Sequence, residues 1–268
     1  MQLMPYVNLA STRPGSRRLF YADHQREAQG TARLVVHGAA GSHLVWPGSR
    51  RGLPEMRVLA LDVPGHGRSD PPGRRAITHY ATAVHAFLDA LALPGVVVAG
   101  HSMGALVALA LALESPPSLR GLLLMGAGAR MRVTEALLGG WFDHSERAAT
   151  FVVDNGFHSA PAALRRKVLA AMLAVPPPTA FNDFFACHHF DARPLLGGIS
   201  LPTVVIAGAN DHLAPPRFSA ALADGLPHAR YESIADAGHF VMLERPDEVA
   251  GLATAFLRSV DSGHTAAA

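Results

Sequence analysis

The sequence predicts an α/β protein, built on a mostly parallel central sheet flanked by helices and carrying one helical insertion. Three observations point there. Short runs rich in β-branched and apolar residues alternate with longer segments of helical period, as strands joined by crossover helices do. The chain of 268 residues, 49% hydrophobic and 16% charged, can bury a large core, and its composition is neither disordered nor repetitive. About 75 residues separate the fourth of the strand-like runs from the fifth, where a usual connection needs about 2–6, so an extra unit stands between them.

Taken in order, strands are expected at residues 33–36, 57–62, 95–99, 119–125, 202–207 and 229–234. Helices are expected at 80–93, with Thr78 as a cap, and at 103–114, 217–226 and 247–258. Residues 1–129 and 199–268 form the core, and 130–198 is read as a helical cap. Its helices fall around 143–155, 161–173 and 179–189, with Pro176-Pro177-Pro178 as a hard stop between the last two. Seven of the twelve phenylalanines lie in the cap: Phe142, Phe151, Phe157, Phe181, Phe184, Phe185 and Phe190. They line an apolar pocket or pack the cap itself, and the sequence supports both readings. Residues 259–268 are small and polar, so a frayed end is expected.

Bulk properties exclude several classes. Net charge is only +2, and the basic residues are scattered in short groups (Arg17-Arg18, Arg50-Arg51, Arg74-Arg75, Arg165-Arg166-Lys167), so no nucleic-acid partner is expected. Residues 90–113 lack Asp, Glu, Lys and Arg, but Pro94-Gly95 and Gly100-His101-Ser102 break the run where a strand, a turn and a helix should meet; no membrane span is expected. The start Met1-Gln2-Leu3-Met4-Pro5-Tyr6 lacks the basic and apolar regions of a secretory signal. Cys187, the single cysteine, cannot pair within the chain. A cytoplasmic location fits both. None of the fifteen histidines forms an H-E-x-x-H spacing, and the loops at 38–41 and 65–67 match neither G-x-G-x-x-G nor the P-loop, so neither a metal nor a nucleotide is expected.

The chemistry centres on Gly100-His101-Ser102-Met103-Gly104, between an expected strand and an expected helix. A serine on such a sharp turn points its hydroxyl into the open, and the residues two before and two after must lack bulk where backbones crowd. The helix that follows aims its N-terminal N–H groups at a developing oxyanion. Serine needs a base, and the base a carboxylate to orient it, in the chain order Ser, acid, His. Asp211, just beyond the strand at 202–207, and His239, beyond the strand at 229–234, satisfy that order. The turn after the strand at 119–125 reads Gly126-Ala127-Gly128-Ala129-Arg130 and offers no competing acid.

These segments resemble the α/β-hydrolase superfamily from about Arg18 to Arg258. His37-Gly38-Ala39-Ala40-Gly41 resembles its oxyanion loop, Asp62-Val63-Pro64-Gly65-His66-Gly67-Arg68-Ser69 its D-x-P-G-x-G-x-S turn, and residues 202–208 followed by Asp211 its acid-bearing strand. The resemblance implies that Ser102, Asp211 and His239 are catalytic and that the N–H groups of Ala39 and Met103 form the oxyanion hole. The triple glycine of some lipases and esterases is absent, which speaks against bulky tertiary-alcohol esters. Serine at 102 argues against the aspartate-dependent dehalogenases and epoxide hydrolases. Candidate substrate contacts are Gly38, His101, Trp141, Phe142 and Phe240, while His66 is read as scaffold.

The expected activity is cofactor-free hydrolysis of a small-to-medium carboxylic ester through an acyl-enzyme, by a monomer or homodimer acting on a small molecule. Hydrolysis of a carbon–carbon bond in a vinylogous diketone is the alternative, with thioesters and lactones also open. Arg130, Arg132 or Arg193 anchoring a substrate carboxylate would favour the carbon–carbon chemistry. A slow-turnover receptor that keeps the triad is the alternative of another class.

Overall fold

The computed structural model describes residues 6–9, 17–46 and 56–263. The Arg50-Arg51 pair, the opening residues 1–5 and the end of the tail, 264–268, lie outside the described residues. Among the described residues eight strands form one sheet: β1 (Tyr6–Leu9), β2 (Arg17–His24), β3 (Ala32–Val36), β4 (Val58–Leu61), β5 (Val96–His101), β6 (Leu119–Met125), β7 (Thr203–Gly208) and β8 (Ala229–Ile234). Their order is β1-β2-β4-β3-β5-β6-β7-β8. The pairs β1/β2 and β2/β4 are antiparallel and all others parallel.

The expected strands are all present, and β6 and β8 have the expected bounds. β1 and β2 were not foreseen. They are the outermost two strands at one side of the sheet, of mixed polarity, and antiparallel pairing holds them without the continuous apolar run that marks a strand covered on both faces. β3, β4, β5 and β7 are buried along their whole length.

Side chains alternate between two cores. Leu34, Val36, Val96 and Val98 face α1 (Ile77–Leu91) and α2 (Met103–Glu114). Val35, Ala60, Val97 and Ala99 share the other core with Val249, Ala253, Phe256 and Leu257, and with Trp46. α2 is buried from Met103 to Ala112, so the uncharged run that mimics a membrane span is β5 and α2 wrapped in protein. No helix among the described residues is long and apolar enough to cross a membrane. α1 begins after Ala76, which makes no side-chain cap hydrogen bond, so Thr78 lies inside the helix and does not cap it.

Between β6 and β7 lie α3 (Glu135–Asp143), α4 (Ser145–Gly156), α5 (Ala162–Leu173) and α6 (Pro177–His189). α3 was not foreseen; Thr134 caps it by accepting from Leu137 N–H. The proline run does not separate α5 from α6 as a stop of its own. Pro177 and Pro178 open α6, because a first helical turn has no use for the missing N–H. The neck of the insertion is closed by a bridge between Arg130 and Asp191, with Ala192 N–H donating to Ala129 O at 2.8 Å. The chain ends in α7 (Pro216–Gly225), α8 (Val241–Glu244) and α9 (Pro246–Asp261), so the stretch expected to fray stays helical to Asp261.

Candidate active site

Because β3, β5, β6, β7 and β8 run parallel, their C-terminal ends share one sheet edge. The chain leaves β3 for β4 on one side and returns to β5 on the other, opening a crevice at that switch. The loops after β3 and β5 meet there. A Cβ on Gly38 would lie 3.2 Å from Ser102 Cβ and 3.0 Å from His101 Nδ1.

Ser102 has φ +52° and ψ −116°, a strained left-handed turn for a residue with a side chain. Two glycines permit it. A Cβ at Gly100 would strike Gly104 O, and one at Gly104 would strike Val36 O, locking α2 against β3. The turn is tied to the sheet by Ser102 N–H donating to Met125 O at 2.8 Å. Met103 N–H opens α2, where a helix has no carbonyl of its own to offer.

The other two residues lie further along the edge. Asp211 follows β7 and is buried, accepting Leu213 N–H at 2.9 Å and Ala214 N–H at 2.8 Å on Oδ1. Its Oδ2 accepts His239 Nδ1 at 2.8 Å. Burial alone would raise the Asp211 carboxyl, but the His239 imidazole and the two amides outweigh it and hold the group below the usual carboxylate range. His239 N–H donates to Gly156 O of the insertion at 2.7 Å. Gly126, in the turn that lacks an acid, brings its backbone against the His239 ring.

His101 is buried behind this pair, its ring 4.8 Å from that of His239, with Nε2 donating to His239 O at 2.9 Å. Burial first, and then the neighbouring His239, push it down to about 3, so it is a neutral prop.

Ser102, His101, His239, Gly38, Ala39 and Phe240 all open on one cavity of about 630 Å³ between the sheet edge and the insertion. That volume is in the range of small-molecule sites. Its remaining wall is chiefly apolar, with Leu137, Val152, Val168, Phe184 and Leu243 prominent, and it contains no carboxylate among the described residues. Two expected contacts are not on it. Trp141 is buried and stacked on Phe184 at 5.2 Å, which interposes its own ring, and Phe142 is 56% exposed and packs on Phe181 at 4.5 Å. Of the seven insertion phenylalanines, Phe151 and Phe184 line the cavity. Phe157 stacks on Phe240 at 4.6 Å, and Phe181 and Phe185 lie under the Arg75 guanidinium. Arg130 and Arg193 are tied to Asp191, whereas Arg132 reaches the wall.

Two residues escaped sequence reading. Glu244 clamps the loop that carries His239, accepting Gly238 N–H at 2.7 Å on one oxygen and His158 and Ser159 N–H at 3.0 and 2.7 Å on the other. Asp183, a carboxylate alone in an apolar, Phe-rich helix, is fully buried against the loop that follows β3. That isolation was its only signal.

The family model described as "Alpha/beta hydrolase family" matches residues 34–252. A thermophilic esterase from Thermogutta terrifontis superposes with a TM-score of 0.86 at 27% identity, covering 96% of this chain and 99% of that one. A 2-hydroxymuconate semialdehyde hydrolase of Pseudomonas putida is 28% identical, covering 89% of this chain and 91% of its own length. A pimeloyl-[acyl-carrier protein] methyl ester esterase of Neisseria meningitidis is 28% identical, covering 87% and 80%. With its sheet order, its strained serine turn and a family match over most of its length, the chain belongs to the alpha/beta hydrolase family.

Proposed function

We propose that the protein is a serine hydrolase that cleaves a small-to-medium carboxylic ester through an acyl-enzyme. One observation carries the reading: a serine in a strained turn at a helix N-terminus opens on the same cavity as a histidine whose other ring nitrogen is held by a buried aspartate. His239 takes the Ser102 proton as Oγ attacks the ester carbonyl. The N–H groups of Ala39 and Met103 hold the oxyanion, and Asp211 stabilises the imidazolium. His239 returns the proton to the departing alcohol, then activates water to release the acid and free Ser102. Gly38, His101 and Phe240 line the substrate's path, and residues 130–198 act as the lid that selects the acyl group. The test is labelling by a fluorophosphonate: the parent chain is expected to label and Ser102→Ala to lose the label, while an unlabelled parent chain would sink the reading.

A second reading has one observation in its favour. Among the described residues the cavity wall includes Arg132 and Lys167 and no carboxylate, which suits a substrate with an acidic end, as in carbon–carbon hydrolysis of a dienone-type acid. p-Nitrophenyl esters of increasing acyl length, assayed beside such an acid, separate the two; sustained release in either assay excludes a slow-turnover receptor.

A further inference from the structure

Asp183, on α6 of the insertion, receives three donors, all from the core and each more than a hundred residues away in the chain. Its Oδ2 accepts Ala40 N–H at 2.9 Å and His66 Nε2 at 2.7 Å, and its Oδ1 accepts the Tyr80 hydroxyl at 2.6 Å. The Tyr80 oxygen in turn accepts Arg74 N–H at 2.8 Å. His66 Nδ1 donates to Pro64 O at 3.1 Å, so both ring nitrogens carry protons and His66 is the counter-ion of Asp183. Burial opposes that charge, and the carboxylate more than restores it.

His66 and Tyr80 would suffice to neutralise and satisfy a buried carboxylate. The third donor is different, because it belongs to the loop that follows β3. Ala40 is buried at φ +50°, a left-handed conformation that disfavours a residue with a side chain, so the loop needs an outside hold to keep its shape. Without Asp183 the Ala40 N–H would be a buried donor without a partner. The next residue back is Ala39.

We propose that Asp183 is a positioning residue, which through Ala40 N–H fixes the 38–41 loop so that Ala39 N–H is aimed at the oxyanion. The proposal rests on the ester-cleavage reading and adds a role for the insertion in the chemical step, beside its role in choosing the acyl group.

The test compares Asp183→Ala and Asp183→Asn with the parent chain. Active sites are counted by fluorophosphonate titration, kcat and KM are measured on p-nitrophenyl butyrate, and affinity is measured for a trifluoromethyl ketone, which mimics the tetrahedral intermediate. Asp183→Ala should lower kcat by about 10- to 100-fold and weaken the ketone by the same factor, with KM within about twofold. Asp183→Asn offers Ala40 an acceptor of the same volume and should recover kcat to within about threefold of the parent. A folded, titratable Asp183→Ala that keeps both kcat and ketone affinity overturns the proposal, even if its melting temperature falls. Should that variant not fold, Tyr80→Phe releases one anchor of the carboxylate. A parallel loss of kcat and ketone affinity of about threefold or more is then expected, and a fall in melting temperature alone overturns the role. A parent chain that fluorophosphonate does not label overturns the ester reading and the positioning role together; a labelled chain indifferent to Asp183 overturns the positioning role alone.

Discussion

At the scale of single residues, three buried histidines set opposing demands on pH. His37 donates from Nδ1 to Gly38 O at 2.8 Å and accepts Val63 N–H on Nε2 at 3.3 Å, an arrangement open only to the neutral ring. Burial pulls His37 down to about 4 and His101 down to about 3. Below about pH 6.5 the unfolded chain binds protons that these two refuse when folded, so their stabilisation is complete above that pH. It falls by about 1.4 kcal/mol per unit for each as acid is added. His66 is shifted upward, so its contribution is present below about pH 6.5 and lost as pH rises through its folded value. Thermal melts between pH 4.5 and 9 should therefore peak near neutrality with the steeper limb on the acid side, and a flat acid limb would contradict the neutral burial of His37 and His101. Two glycines give a second contrast. Gly104→Ala should cost about 3 kcal/mol in a denaturant titration, because its methyl meets Val36 O. Gly139→Ala, at an open position inside α3, should stabilise by about 0.5–1 kcal/mol. That Ser102, Asp211 and His239 fall on turns at one sheet edge was legible in the sequence, because the glycines around the serine, the flanking strands and the chain order each limit where they can lie. Asp183 was not, since its partners are brought to it only by the fold.

At the scale of elements, the crossover helices and covered strands were legible from period and apolar content, while β1, β2 and α3 were not. α3 buries little besides Trp141, so it shows hardly any apolar stripe. The D-x-P-G-x-G-x-S segment is a structural knot. Asp62 accepts His43 N–H at 2.7 Å, the His43 ring at 2.9 Å and Arg68 N–H at 3.0 Å, and its carboxylate fills the space where a side chain on Gly67 would sit. Ser69 Oγ donates to Asp62 O at 2.5 Å and accepts Phe20 N–H at 2.9 Å, stitching the turn to β2. Asp62→Ala should cost about 3 kcal/mol or more, measured by chemical denaturation, because buried donors lose their acceptor. The site lies on the neighbouring loop, so activity per labelled Ser102 should change far less than stability.

At the scale of the whole molecule, the insertion was legible as a length of chain too long to be a loop, but its bonding to the core was not. It grips the site at two places: Gly156 O holds the backbone of His239, and Asp183 holds that of Ala40. Replacing residues 130–198 by a short linker should therefore yield a chain that has lost turnover, not one that has merely become less selective, as read by kcat on the smallest ester of the series. Sequence order suggests a detachable part, since the two ends of the insertion meet at the bridge between Arg130 and Asp191. Its hydrogen bonds tie it to the core all the same. Anyone grafting a foreign lid onto this scaffold to change its substrate would have to carry over an acceptor for Ala40 N–H and one for His239 N–H, or rate would be lost with every change of taste.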